Sequence, residues 1–146
     1  MASSLAELLG SDFAEKYPEA RIPPPSFVES GAQIVEYVPG KSLTESFEIH
    51  ERQTGPMGIL QGGLLCGLFD DVFGPLSFVC AKRPCVSIDM NVSFVRATKV
   101  GDVLTIKAEF VSRTRTLFQM RAEAHNSRGK LVATATSNLL VYEPGP

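Results

Sequence analysis

The spacing of apolar positions changes several times along this chain, and the changes divide it into elements. In "SSLAELLGSDFAEK", residues 3–16, Leu5, Leu8, Leu9 and Phe13 recur at helical spacing behind serines suited to an N-cap. The pattern predicts a short amphipathic helix. "RIPPPSF" then stops regular structure, because consecutive prolines fix φ, lack N–H donors and push the preceding residue extended. From Gly31 the period falls to two. "AQIVEYV" and "SLTESFEIHER" flank the turn signal "PGK", with Leu43, Phe47 and Ile49 on one face of the second strand.

A long apolar helix is predicted over about 59–80, and four strands follow it. "CVSIDMNVSFVRA" alternates strictly, with Val86, Ile88, Met90, Val92 and Phe94 on one side and Ser87, Asp89, Asn91 and Ser93 on the other. "DVLTIKAEFVS" repeats the pattern with Leu104, Ile106, Ala108 and Phe110, and "LFQMRAEAH" with Phe118, Met120, Ala122 and Ala124. "KLVATATSNLLVYE" closes the series after the turn "NSRG". Runs of strands with a segregated helix predict an α+β domain with an antiparallel sheet. A helix apolar on every side has to be wrapped, and a curved sheet around it does so.

Composition narrows the class. A chain of 146 residues suits one domain, read here as 1–146 with a helix and strap over 1–30 and a core over 31–143. With 44% hydrophobic and 21% charged residues it reads as a soluble globular protein, and a net charge of -2 gives no basic footprint for nucleic acid. Cys66, Cys80 and Cys85 are odd in number, have no CxxC spacing, and follow no secretory leader. A reducing, cytoplasmic setting with no metal and no redox cofactor is expected. Asp70 and Asp71 split the longest apolar run, so no membrane span is expected.

The predicted helix, "GILQGGLLCGLFDDVFG", concentrates the chemistry. A carboxylate in an apolar helix is costly unless paired, so Asp70 and Asp71 imply either a function, a capping role or less burial than the pattern suggests. Each glycine inside a helix costs roughly 1 kcal/mol relative to alanine. At 3.6 residues per turn Gly63, Gly67, Asp70 and Gly74 fall on one stripe with Asp71 at its edge. That groove makes room for a second helix, for a ligand beside the acid, or for both.

With "VSIDMNVSFVRATKVGD" after it, this segment resembles the acyl-CoA thioesterases of the phenylacetate-degradation (PaaI-like) type, a branch of the hotdog thioesterase superfamily. The likeness runs from about Pro24 to Tyr142. It implies a hotdog fold, a curved antiparallel sheet around one long central helix, and hydrolysis of an acyl-CoA or acyl carrier protein thioester. The family pattern has His-Gly-Gly at the helix start, an acid nine residues after the histidine and an asparagine six before it. Here those positions hold Gln61, Gly62 and Gly63, Asp70 and Gly55. The resemblance implies Asp70 as the catalytic carboxylate, acting as general base or nucleophile, and the Gly62 N–H as the group polarising the carbonyl. It also implies a role for Ser87 in holding the attacking water, while the second carbonyl donor stays unassigned, with the Gln61 amide a candidate. A non-catalytic acyl-CoA or lipid-binding module is the alternative, and the changes at Gly55 and Gln61 favour it.

Helix geometry then constrains the assembly. Gly62 and Asp70 are eight residues apart, about 12 Å along one helix, so they cannot both touch one thioester. Joint action requires a dimer, with the two helices antiparallel across a two-fold axis, and either a dimer or a tetramer is compatible with the pattern. Gly63 and Met57 beside the helix start, with Met90, Phe73 and Phe94, are candidates for substrate contact or for core packing. Arg96, Lys99 and Arg115, with Arg113, Arg128 and Lys130, sit in turns and strand ends, where they either dock phosphates or are simply solvated. His50 and His125 fall in strand patterns away from the helix.

Overall fold

The computed structural model describes residues 4–144, so Ser3 of the first predicted helix lies outside the described residues. Where one N-terminal helix was expected there are two, α1 (Leu5–Leu9) and α2 (Ser11–Lys16), broken at Gly10, whose φ of 84° is inaccessible to most L-residues. Ser4 caps α1 in a reciprocal box with Glu7. The break does not scatter the apolar stripe: Leu5, Leu9 and Phe13 remain buried in a small cluster with Tyr17, Phe27 and Val79. The proline strap also departs from expectation, because Pro25 opens α3 (Pro25–Glu29). At the first position of a helix a proline's missing N–H is no loss and its fixed φ is already helical.

Strands β1 (Gln33–Val38) and β2 (Ser42–Glu48) form the expected hairpin, although β2 stops short of residue 52, where Glu51–Gln53 turns into a single 3-10 turn. The central helix is α4 (Gly62–Ala81), followed by β3 (Cys85–Phe94), β4 (Val103–Arg113), β5 (Leu117–His125) and β6 (Leu131–Val141). All six strands join one antiparallel sheet in the order β1-β2-β4-β5-β6-β3. The sheet curves around α4, which is the hotdog arrangement. Its inner face supplies Leu43, Phe47, Leu104, Ile106, Phe118 and Met120 to a core shared with Leu65, Phe69, Val72 and Leu76 of α4.

Two expectations about this core are corrected. The strict alternation of β3 is interrupted by a β-bulge: Ser87 pairs with Leu139 and Asp89 with Asn138, so Ile88 is extra. Val86 and Ile88 are therefore exposed, at 47% and 56%, while Met90 and Val92 beyond the bulge pack on the core. The Asn138 side-chain amide and backbone N–H both donate to the Asp89 carboxylate, pinning the irregularity. The second correction concerns wrapping. Although α4 is 20 residues long with a mean hydropathy of 1.6, half of it is buried and the stripe containing Gly63, Leu64, Gly67 and Asp70 lies open. A single sheet covers one side of a helix, and the face it leaves uncovered is where the glycines sit.

Candidate active site

At its N-terminus α4 is capped by Gln61, whose Oε1 accepts from the Leu64 N–H at 2.9 Å. Gly62 is the first helical residue, so its N–H has no acceptor within the helix and points out at the positive end of the dipole. A β-carbon at Gly62 would lie 3.2 Å from the ring of Phe94, which explains the glycine by close approach. A cleft of about 320 Å³ opens here, lined by Ile59, Gly62, Leu65, Phe94, Arg96 and Thr98 among others. Arg96 is anchored by donating to the Leu131 carbonyl at 2.7 Å, and Lys99 is held nearby through the bridge between residues 59 and 99. Gly63 lies exposed under the Gln61 amide, where a β-carbon would sit 3.1 Å from Oε1 and displace the cap.

Two turns further on, the bulge in β3 acquires its consequence. With Ile88 extra, Ser87 turns toward α4 and its hydroxyl donates to Asp70 Oδ1 at 2.6 Å. The second oxygen of Asp70 has no protein partner among the described residues. Both residues line an open cavity of about 350 Å³ bordered by α1, the strap, α3, α4 and the start of β3. No β-carbon contact within 4 Å would arise at Gly67 or Gly74, so within one chain these glycines do not accommodate a packed neighbour; they border open space.

Asp71, one residue along, is in a different environment. Burial raises its pKa, the hydroxyls of Ser26 and Ser30 oppose the rise, and the Asp70 charge adds to it. On the sheet side of the same helix lies a group the sequence reading passed over, Glu45 of β2. It is 0% exposed, and neither carboxyl oxygen has a hydrogen-bond partner among the described residues. Burial, with the nearby Asp71 charge as a second cause, pushes its pKa up to about 9, so it is protonated at neutral pH. The signal was present: Glu45 sits between Leu43 and Phe47 on the face assigned to the core. Thr98 was likewise passed over; its buried, unpartnered hydroxyl belongs to a residue lining the Gly62 cleft.

The remaining candidates separate. Arg115 lies in the β4–β5 turn, where Arg83, just beyond the C-terminal end of α4, donates to its carbonyl, so it is not brought together with Arg96 and Lys99. Met57 is 81% exposed in the loop before α4, and Phe73 is fully buried in the core. His50 begins the 3-10 turn and His125 ends β5, 3.7 Å from Glu123; neither lines the Asp70 cavity. The three cysteines are free and partly buried, and burial pushes the Cys85 thiol up to about 11. Among the described residues no three His, Cys, Asp or Glu side chains converge on a point that would hold a metal ion.

Residues 57–133 match the thioesterase superfamily. Human acyl-coenzyme A thioesterase 13 is 32% identical over 103 residues, covering 68% of this chain and 72% of the human protein. A phenylacetic acid degradation-related protein from Ralstonia eutropha superposes with a TM-score of 0.77 at 29% identity, over 88% of this chain and 98% of its own. A Streptococcus mutans protein bound to acetyl CoA superposes with a TM-score of 0.72, over 79% of this chain and 91% of its own; at 22% identity that likeness concerns the fold.

Proposed function

We propose, from the premise that this chain belongs to the thioesterase superfamily, that it hydrolyses acyl-CoA with Asp70 of one protomer and the partner's Gly62 acting on one thioester. Acyl-CoA thioester hydrolysis follows from the family and from the relationship to the human thioesterase. The observation that supports the residue assignment is the Asp70–Ser87 hydrogen bond at the wall of an open cavity, because it orients one carboxylate oxygen and leaves the other free.

In this mechanism the thioester oxygen accepts from the Gly62 N–H at the helix N-terminus, where charge developing on it is stabilised. The Gln61 amide, its oxygen already committed to the Leu64 N–H, offers its NH₂ as a second donor. Asp70 takes a proton from water as the water oxygen bonds to the carbonyl carbon; collapse of the adduct breaks the C–S bond, and the proton passes to the leaving thiolate. The direct alternative, attack by the free Asp70 oxygen to give a mixed anhydride, is distinguished by a single turnover in labelled water. Label in the aspartate identifies an anhydride opened at its aspartyl carbon, and trapping of the anhydride with hydroxylamine as the acyl hydroxamate covers opening at the acyl carbon, where the label goes to the product acid as it does with a general base.

The dimer rests on two features besides the 12 Å separation along α4 (about, by helix rise). Strand β3 is a sheet edge ten residues long that exposes Val86, Ile88 and Phe94, and long apolar edges are sites of pairing. The open glycine stripe of α4 is the second, with Leu64 at 44% exposure beside it. Thiol release from a panel of acyl-CoAs, run beside light scattering, tests both parts. Wild type releasing no thiol while binding acyl-CoA would return the reading to a binding module, and a monomer with full activity would remove the shared site.

A further inference from the structure

Resting on that reading, we propose that the cavity between the N-terminal segment and α4 takes the acyl group, that it selects uncharged apolar acyl chains, and that Gly74 sets the length it admits. The cavity is the space into which Asp70 and Ser87 open, so one of the two arms of a thioester bound there enters it. Its walls decide which. Leu5, Leu9, Ile22, Phe27, Phe78 and Leu139 line it, and among the described residues no lysine or arginine does. The phosphates of coenzyme A call for charge-assisted donors, which this space lacks among the described residues and which the partner's Arg96 provides beside the partner's Gly62. The apolar arm therefore goes in and the nucleotide arm stays out.

The same walls discriminate among acyl groups. The ionisable groups lining the cavity besides the Cys85 thiol are Asp70 and Asp71, both acidic, so a second carboxylate at the far end of the acyl group meets like charge and no cation. The volume, about 350 Å³, lies at the small end of the range for small-molecule sites, and α1 closes the far side through Leu5 and Leu9. Gly74 is one turn beyond Asp70 on the same stripe, about 6 Å along the axis, so an acetyl group does not reach it and a longer chain has to pass it. A β-carbon at Gly74 would touch nothing, so a larger side chain there projects into the cavity without displacing protein. Replacing a helical glycine also relieves backbone entropy, so the variants are expected to fold.

The experiment measures kcat/KM for wild type, Gly74→Ala and Gly74→Leu with straight-chain acyl-CoAs from two to twelve carbons and with glutaryl-CoA, and checks each variant's oligomeric state. Thermal shifts with decanoyl-CoA and with free coenzyme A are recorded alongside. Gly74→Leu is expected to lose at least about 30-fold on decanoyl-CoA while acetyl-CoA stays within about 3-fold, with Gly74→Ala between, the scale on which apolar pockets discriminate. Glutaryl-CoA is expected to be at least about 10-fold poorer than hexanoyl-CoA. Equal loss at every length in a correctly assembled Gly74→Leu, or no loss at all, overturns the proposal, as does glutaryl-CoA matching hexanoyl-CoA. If wild type releases no thiol, the hydrolytic reading fails separately; the cavity assignment then stands if decanoyl-CoA stabilises wild type more than coenzyme A does and Gly74→Leu abolishes the difference, and falls if it does not.

Discussion

Asp70 and Asp71 are neighbours on one helix and border one cavity, yet their carboxyls meet different partners. Asp70 faces β3, where a bulge brings one hydroxyl to one carboxylate oxygen and leaves the other open to a cavity. Asp71 borders the same cavity on its α3 side, where burial raises its pKa against the hydroxyls of Ser26 and Ser30, and its charge acts on Glu45, sealed in the core with no hydrogen-bond partner among the described residues. The residue type is the same; a step of about 100° around the helix changes what surrounds it. A carboxylate that is to exchange protons with a substrate needs one fixed oxygen and one accessible oxygen, and Asp70 has both. On the Asp71 side burial raises the carboxyl pKa against the hydroxyls of Ser26 and Ser30, and Glu45 beyond it is pushed up to about 9.

The sharpest way to break this contrast is to neutralise each aspartate in turn. Asp70→Asn is expected to lower kcat for thiol release by about 10² to 10⁴-fold, the usual weight of a positioned general base. Asp71→Asn is expected to stay within about 10-fold, because its carboxyl is engaged by the hydroxyls of Ser26 and Ser30 rather than by Ser87. Equal losses from the two variants would erase the distinction, and an Asp70→Asn enzyme as fast as wild type would remove Asp70 from the chemistry.

Glu45 gives the next largest effect, read in stability rather than rate. Its pKa rises from 4.5 in the unfolded chain to about 9 in the folded one, so between those values the folded state binds more protons. Stability from this group is therefore full below pH 4.5 and falls as pH rises toward 9. At pH 7 the loss is about 3 kcal/mol, from 1.36 kcal/mol per unit over the interval above 4.5. Glu45→Met, which removes the acid and keeps the length of the side chain, is expected to raise the denaturation midpoint at pH 8 and to flatten the slope between pH 5 and 8. A wild-type stability that rises over this interval, or a variant with the wild-type slope, would show that Glu45 is paired in solution.

What the sequence could convey follows the same divide. The regular parts were legible: β4 and β5 alternate as written because both faces are set by one period, and α4 begins within a few residues of its predicted start because Gln61 and Gly62 terminate the preceding loop. Asp70 stands out in the sequence as a carboxylate in an apolar helix that matches the family pattern, and the structure places it beside Ser87 at a cavity wall. The irregular parts were not legible. One extra residue at Ile88 reverses the inward face of β3, and no local composition distinguishes it from its neighbours. Gly10 breaks a helix that the apolar spacing runs straight through, and Pro25 starts one where prolines suggested none. Charge and a place in turns or strand ends group Arg115 with Arg96, although the turn that carries it adjoins the far end of α4. Glu45 differs from these, since alternation placed it on the core face and it was overlooked because acids are seldom buried there.

The smallest effect tests the bulge that separates the two regions. Ser87 reaches Asp70 only because Ile88 shifts the register, so its hydroxyl is the one part of the Asp70 environment that strand irregularity supplies. A hydrogen bond to a charged group is worth about 1.5–3 kcal/mol, and if its low end is expressed in the transition state the rate changes by about 10-fold. Ser87→Ala is expected to lower kcat by about that factor with KM within about 2-fold, since the hydroxyl orients the acid rather than the acyl chain. Ser87→Thr keeps the hydroxyl, suits an extended strand, and is expected to restore most of the rate. Loss of KM in Ser87→Ala with kcat unchanged would instead make Ser87 a substrate contact, and the bulge would then shape the cavity rather than the carboxylate.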